Sequence, residues 1–251
     1  PSSMSLLQEA ELLDAVEQQN FMRKNGAVFL RGNETCNFDF SRQFTNGFTY
    51  TYQVPRSDFD KALADTVAAR GVEILYQHNV MAVSFAPTRA VTTIEKSDGT
   101  RFAVKSKFVL DCSGFGRVLP RLLCLEQPSD FPSRESLFAH VTGDLRPAER
   151  EEGKVWICMH PDGAWIWIIP FANGRTSVGV VAKPEFFQKF PGDPEAQLRA
   201  IIRSDVNAAK RLANMQLVMP PQRISGFSCA VKQFYGQRFA LVGNTTEFLD
   251  A

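Results

Sequence analysis

Between Val155 and Val181 two turn signals, Pro161-Asp162-Gly163 and Asn173-Gly174, divide an apolar stretch into segments too short for helices. Proline and aspartate open tight turns and glycine accepts the left-handed backbone they need, so the spacing predicts three consecutive antiparallel strands. These are Val155 to Met159, Ala164 to Ile169 and Thr176 to Val181. In the middle one a period of two places Trp165, Trp167 and Ile169 on one face and Ala164, Ile166 and Ile168 on the other. Both faces are apolar, which predicts a strand buried on both sides. Beyond the meander, Asp193-Pro194-Glu195 reads as an N-cap with proline at the first helical position. Ser204-Asp205 offers a second start, giving two helices up to about Met215.

The remaining segments alternate helices and strands. Leu6, Ala10, Leu13 and Val16 have helical spacing, which predicts one amphipathic helix from Met4 to Gln19. Ala27 to Arg31 and Phe48 to Val54 read as strands. Ser57-Asp58-Phe59-Asp60 has the spacing of a capping box and opens a helix bearing Phe59, Leu63 and Val67 on one face until Gly71. Val72 to Tyr76 reads as a buried strand. Asn79 to Phe85, Ala90 to Lys96 and Arg101 to Lys105 read as further strands, the last two joined at Asp98-Gly99. Phe108-Val109-Leu110 reads as a buried strand delivering the loop Asp111 to Gly116. Ile224 to Phe234 and Arg238 to Val242 return to strand character, the latter running into Gly243-Asn244.

This order predicts a mixed α/β (α+β) chain in which parts of a Rossmann-like nucleotide domain are interleaved with an antiparallel β-sheet substrate domain. The expected segments are 1–54 as entry to the substrate domain and 55–125 as part of the nucleotide domain. Residues 126–235 are expected to form the antiparallel-sheet substrate domain with its helices, and 236–251 a return to the nucleotide domain.

Composition narrows the classes. With 251 residues, 44% of them apolar, the chain can bury a sizeable core, which argues against disorder and coiled coil. Its 28 basic and 27 acidic residues leave a net charge of +1 with no basic block, which argues against nucleic acid or an anionic membrane surface as main partner. The apolar stretch Ala164 to Ala172 contains a proline and is too short to cross a bilayer, so no membrane span is expected. No secretory signal is read, and the chain without an initial methionine reads as the interior of a longer protein. Five scattered cysteines without a C-x-x-C pair support neither a disulfide frame nor a zinc site, so a reduced cytoplasmic protein is expected. His78, His140 and His160 share no ligand spacing, and no metal is expected. Asp144 and Glu151-Glu152 read as a solvated loop. Phe186, Phe187 and Phe190 suit either core or an apolar pocket.

Three features bear on chemistry. Ser113-Gly114-Phe115-Gly116 follows a strand, where free backbone N–H groups meet phosphates, but the third glycine of a dinucleotide fingerprint would fall at Leu119; a phosphate contact and a plain tight turn both remain open. Trp165-Ile166-Trp167-Ile168-Ile169-Pro170 is either core or a site wall. Lys24, beside Asn25-Gly26, is either a solvated turn lysine or a functional amine.

Resemblance to a family adds to this. The W-x-W-x-I-P segment resembles the signature of flavin-dependent halogenases, within the hydroxybenzoate-hydroxylase-like superfold of FAD-dependent oxidoreductases. Phe21 to Phe29 resembles the F-x-x-K-x-G-A-x-F stretch carrying their reactive lysine. Tyr52 to Asp60, with Arg56, is similar to a segment near FAD. Val109 to Gly114 is similar to a D-x-S-G loop, and Phe239 to Asp250 to a G-D/N-A-x-x-F-x-D-P segment. The family's leading G-x-G-x-x-G unit is not in the sequence, and Pro1 matches the end of its G-E-S-x-x-P segment, so the chain is expected to be a piece lacking both ends of the pattern.

The resemblance implies reduced FAD and halide as cofactors, with oxygen giving hypohalous acid that halogenates an electron-rich aromatic such as a phenol or pyrrole. It implies that Lys24, with Trp165, Trp167, Ile169 and Pro170, forms the catalytic set. It implies that Arg56, Asp111, Ser113, Gly114, Gly243, Asn244 and Asp250 hold FAD. The implied partners are a separate flavin reductase and a free or carrier-tethered aromatic. Two alternatives stay open: a flavin monooxygenase or double-bond reductase of the same superfold, and a truncated domain without activity.

Overall fold

A computed structural model describes residues 1–44, 46–148, 151–227 and 229–248. Two compact units emerge, one of Pro1–Glu73 with Glu135–Ile224 and one of Ile74–Arg134 with Ser225–Ala251. The chain is a mixed α/β protein with several sheets.

The first unit is built on an eight-stranded sheet. Its order is Gln216–Leu217, Glu135–Thr142, Thr176–Ala182, Trp165–Pro170, Val155–Met159, Gly26–Arg31 and Glu34–Asp39, with Gln222–Ser225 also pairing to Glu135–Thr142. The three meander strands lie side by side and antiparallel, Ile157 opposite Trp167 and Trp167 opposite Gly179. Gly26–Arg31 joins them in parallel alongside Val155–Met159. On one sheet face Leu137, Val141, Ile166, Ile168, Val178 and Val180 are sealed from solvent against Leu198, Ile201 and Ile202 of the helix Pro194–Ser204. Each such side chain contributes about 1.5–3 kcal/mol by leaving water. Phe186 and Phe187 belong to this core.

Both helix starts read from the sequence hold. The Asp193 carboxylate accepts from the Ala196 N–H at 2.8 Å, and that of Asp205 from Asn207 at 3.0 Å and Ala208 at 2.9 Å. Each cap satisfies amides that the helix itself leaves unpaired.

Elsewhere the structure corrects the sequence reading. The Trp165–Pro170 strand is sealed on one face only, since Trp165, Trp167 and Ile169 are partly exposed. The expected first helix is two, Ser2–Glu9 and Leu13–Glu17, because Glu11 adopts a left-handed φ of 58°. That reversal buries Met4 and Val16 and leaves Leu6 and Ala10 outside. The capping box is not formed: the helix runs Arg56–Ala69 from an N-cap at Pro55, so Ser57 lies inside it and bonds Asp58. Only Thr51–Gln53 of the strand expected over Phe48 to Val54 forms a ladder, where it meets Met22–Lys24. Asp144 is not solvated; its carboxylate is almost fully buried and receives Arg211 Nε at 2.8 Å.

The second unit holds an antiparallel sheet of His78–Phe85, Ala90–Lys96 and Arg101–Ser106, with an irregularity between Val80 and Ala82. Beside it in sequence, Val109–Asp111 pairs in parallel with Phe239–Leu241, which pairs in turn with Tyr235–Gly236. Leu119, Val231, Phe239 and Leu241 make its core. Val72 to Tyr76 is not a strand, and Val72, Leu75 and Tyr76 are exposed. Phe108 and Leu110 are also exposed, so the expected buried strand there covers one face only. An apolar run signals burial only where another element packs against it. The strand expected over Ile224 to Phe234 is split into Gln222–Ser225 and Cys229–Val231.

Candidate functional site

The open face of the large sheet carries the site. Along Glu135–Thr142 the residues Phe138 and His140 point to this face, and strand register sets Ser177 and Gly179 beside them and Trp167 and Ile169 beyond. They border a cavity of about 600 Å³ in the first unit, also lined by Lys24, Tyr52, Gln53, Arg56, Val155 and Phe171. Its wall is largely apolar and aromatic with few polar groups, the composition of a small-molecule chamber.

Lys24 reaches this cavity from the short ladder Met22–Lys24 with Thr51–Gln53, where it sits opposite Thr51. Burial pushes its ammonium below the ordinary lysine range, raising the share of free amine. Among the described residues its Nζ makes no hydrogen bond or ion pair, and stands 5.9 Å from the centre of the Phe40 ring. The contrast with Lys154 is instructive. That lysine is buried but held by Asn37 Oδ1 at 2.8 Å and Glu151 Oε1 at 2.6 Å, as a structural cation must be.

Trp167 is locked in place. Its Nε1–H donates to Ser177 Oγ at 3.1 Å, its ring lies 6.2 Å from that of Phe138, and it covers Gly179, where a Cβ would stand 2.2 Å from a ring carbon. Ile169 lines the cavity, whereas Trp165 lies one pleat further along the same face and outside the lining. The Pro170 side chain is buried, and its carbonyl accepts from Gln53 Nε2 at 3.1 Å. Gln53 also donates to the Gly153 carbonyl at 3.3 Å, tying the partner strand of Lys24 to the end of the tryptophan strand. Gln53, Phe138, His140 and Ser177 were not singled out as site residues in the sequence, because each borders the cavity only through strand pairing.

Arg56 lines the same cavity, its exposed guanidinium paired with Asp60 at 2.9 Å. In the second unit, the Asp111 carboxylate accepts from the Ser113 N–H at 2.8 Å and the Leu119 N–H at 2.7 Å, and Ser113 Oγ accepts from Val118 at 3.0 Å. Asp111 and Ser113 therefore shape their loop. Gly114 N–H donates to Thr245 Oγ1 at 2.9 Å, joining the Asp111 loop to the 3-10 turn Gly243–Thr245 that holds Gly243 and Asn244. Asp250 lies outside the described residues. No group of three metal-ligating side chains occurs among the described residues, and no helix there is long and apolar enough to cross a membrane.

His140 is held below the ordinary histidine range by burial and then by the nearby Arg175 charge. Above about pH 6.5 the folded and unfolded imidazoles are both neutral; below it the unfolded chain takes the proton first, so native stability falls toward the folded pKa. A His140→Phe variant should therefore lose less melting temperature than wild type between about pH 8 and about pH 5. Equal losses in a calorimetric comparison would show that the ring titrates freely in the native state.

The profile of the tryptophan halogenase family matches residues 17–251. The chain belongs to the tryptophan halogenase family. Among curated relatives, a 1H-pyrrole-2-carbonyl-(peptidyl-carrier protein) chlorinase of Pseudomonas fluorescens is 23% identical, over 100% of this chain and 61% of the relative. The corresponding brominase of Pseudoalteromonas luteoviolacea is 28% identical over 80% of this chain and 50% of the relative. The chain thus spans about half the length of the curated relatives it matches. Among solved structures, a flavoprotein/dehydrogenase from Cytophaga hutchinsonii superposes with a TM-score of 0.93 at 43% identity, covering 98% of this chain and 61% of that one. The flavin-dependent halogenase CmlS gives 0.88 at 26% identity, covering 98% and 45%.

Proposed function

We propose that the full-length protein is an FAD-dependent halogenase of an electron-rich aromatic such as a phenol or pyrrole. The observation that carries this is Lys24: an amine without an ion-pair partner among the described residues, opening into an apolar cavity walled by Trp167 and Ile169. Membership of the halogenase family and the pyrrole halogenases among the relatives support it. In this reading 1–54 and 126–235 serve the substrate, and 55–125 and 236–251 serve the cofactor.

The cofactor loops fit a flavin nucleotide. Gly114 and Gly243 have φ of +58° and +62°, and an added Cβ at either would meet nothing within 4 Å, so a ring edge or phosphate can approach bare backbone there. Ser113 and Asn244 are the polar candidates alongside, and Asp250, outside the described residues, is a further candidate from the motif alone. Asp111 orders the loop; in the first unit, Arg56 is the cation that the family resemblance assigns to FAD, and its exposed pair with Asp60 is of little strength. When bound, reduced FAD with oxygen and halide supplies hypohalous acid. Lys24 then holds the oxidant by a hydrogen bond from Nζ, or as a haloamine, its nitrogen taking the halogen while water leaves. Trp167 shields the chamber and excludes water from a reactive species, and Trp165 continues the same face beyond the lining. A separate flavin reductase delivers the reduced flavin, and the aromatic arrives free or tethered to a carrier protein. Five cysteines, with no disulfide among them, suit a reducing cytoplasmic setting.

The test is product analysis with full-length protein, a flavin reductase, oxygen and chloride or bromide on a panel of phenols and pyrroles. Halogen isotope patterns in the product are expected; hydroxylated or reduced products without halogen would replace this reading. The competing reading, a flavin oxidoreductase that uses no halide, draws on the 43% identical relative described as a flavoprotein/dehydrogenase. The loop assignment has its own check. Cys112 is exposed between Asp111 and Ser113, so FAD should slow its alkylation several-fold while exposed Cys36 reacts as before. Equal rates for Cys112 with and without FAD would remove the loop from the cofactor site.

A further inference from the structure

One cavity side chain has chemistry that the role of Lys24 leaves unused. His140 stands on the sheet face of Phe138, its Cα opposite that of Ser177, and its ring meets buried Phe171 edge-on at 5.4 Å and 73°. That contact fixes the ring plane. The other two imidazoles are engaged: His160 Nδ1 accepts from the Asp162 N–H at 3.2 Å, and His78 Nδ1 lies 2.6 Å from the Tyr76 carbonyl. Among the described residues the ring nitrogens of His140 have no hydrogen-bond partner, and they are not among the polar atoms sealed in the core.

The cavity lining includes no aspartate or glutamate. The basic side chains on the cavity are Lys24 and Arg56, and the charge acting on the ring is that of Arg175. Burial and the Arg175 charge disfavour an imidazolium, so the ring offers a lone pair at neutral pH. Ser177 Oγ already accepts from Trp167, and Gln53 Oε1 is sealed from the cavity. On this sheet face the His140 imidazole is therefore an open nitrogen acceptor for an O–H or N–H proton entering the chamber.

We propose that His140 is a substrate-binding residue whose imidazole nitrogen accepts the hydrogen bond of an acidic O–H or N–H on an aromatic ring. The substrate class this selects is a phenol or an N-unsubstituted pyrrole, as against its O- or N-alkylated counterpart. A hydrogen bond at that position draws on the proton and enriches the ring carbons in electron density, which favours attack on an electrophilic halogen. The inference rests on the reading of this cavity as the substrate chamber, with Phe171 packed edge-on against the imidazole.

The experiment uses the chain carrying isotope-labelled histidine, with p-cyanophenol and its methyl ether p-methoxybenzonitrile, which differ by one O-methyl group, as probes. Nitrogen resonances are followed by NMR, and His140 is assigned by its loss in His140→Phe. The phenol should shift the acceptor nitrogen of His140 and leave His78 and His160 in place, and the ether should not. His140→Phe should bind the phenol about tenfold more weakly, the size of one lost hydrogen bond, and the ether unchanged. Equal shifts for both probes, phenol binding without a His140 shift, or no phenol binding would each overturn the inference. Should His140→Phe not fold, His140 is assigned by elimination with His78→Gln and His160→Gln, since the chain has three histidines, and the wild-type shift still decides. Halide incorporation by the full-length protein is a separate readout: a His140-specific shift with a halogen-free product would defeat the halogenase reading alone.

Discussion

Lys24→Ala in the full-length protein is expected to lower halogenated product by about three orders of magnitude or more, the scale of removing the group that carries the reagent. Flavin binding and melting temperature should stay near wild type. The physical ground is that the amine forms no ion pair among the described residues and its charge is disfavoured by burial, so its removal breaks no structural bond and relieves a desolvation cost. Lys24→Arg separates the two modes of holding the oxidant. Guanidinium donates hydrogen bonds but offers no free amine, so residual activity in Lys24→Arg favours hydrogen bonding and full loss favours the haloamine. Unchanged yield in Lys24→Ala, measured with flavin occupancy confirmed by absorbance, would remove Lys24 from the chemistry.

Gly179→Ala is expected to have the largest structural effect on the site for the smallest chemical change. The added carbon would stand 2.2 Å from the Trp167 ring, which is anchored to Ser177 and flanked by Phe138, so the indole has to leave its place on the wall. Overpacking of this kind costs about 1–3 kcal/mol, and a domain of this size loses about 2–4 °C in melting temperature for each kcal/mol. Tryptophan emission should change with it, since the ring gives up its Nε1–H bond and its cover. A variant with wild-type emission and wild-type melting would mean that Trp167 is not held as described. Should the variant fold with altered emission, its halogenated product should fall or shift in position on the ring, because the wall facing Lys24 has moved.

What was legible in the sequence were features settled over a few residues. The turns Pro161-Asp162-Gly163 and Asn173-Gly174 set the strand pairing around Trp167, and Asp193 and Asp205 cap their helices through bonds to amides two or three residues on. Lys24 and Trp167 are singled out by motifs, and the structure places both on one cavity. The failures share a cause. Val72, Leu75, Tyr76 and Leu110 are large hydrophobic residues, but burial depends on what packs on them, and Glu11 breaks a helix whose local spacing is unbroken. Asp144 reads as a loop carboxylate because Arg211, which buries it, lies 67 positions away.

The sequence by itself thus determined the three meander strands, the caps at Asp193 and Asp205 and membership of the tryptophan halogenase family. Tertiary structure alone decided which side chains meet. Gln53 reaches Pro170 across 117 positions, and His140 comes to lie beside Ser177 and on the cavity of Lys24 only because Glu135–Thr142 pairs with Thr176–Ala182. Propensity and turn chemistry act over a few residues, whereas a chamber is enclosed by residues distant in sequence. Its polar groups take on their properties, a depressed amine at Lys24 and an unbonded ring at His140, from the neighbours that folding supplies.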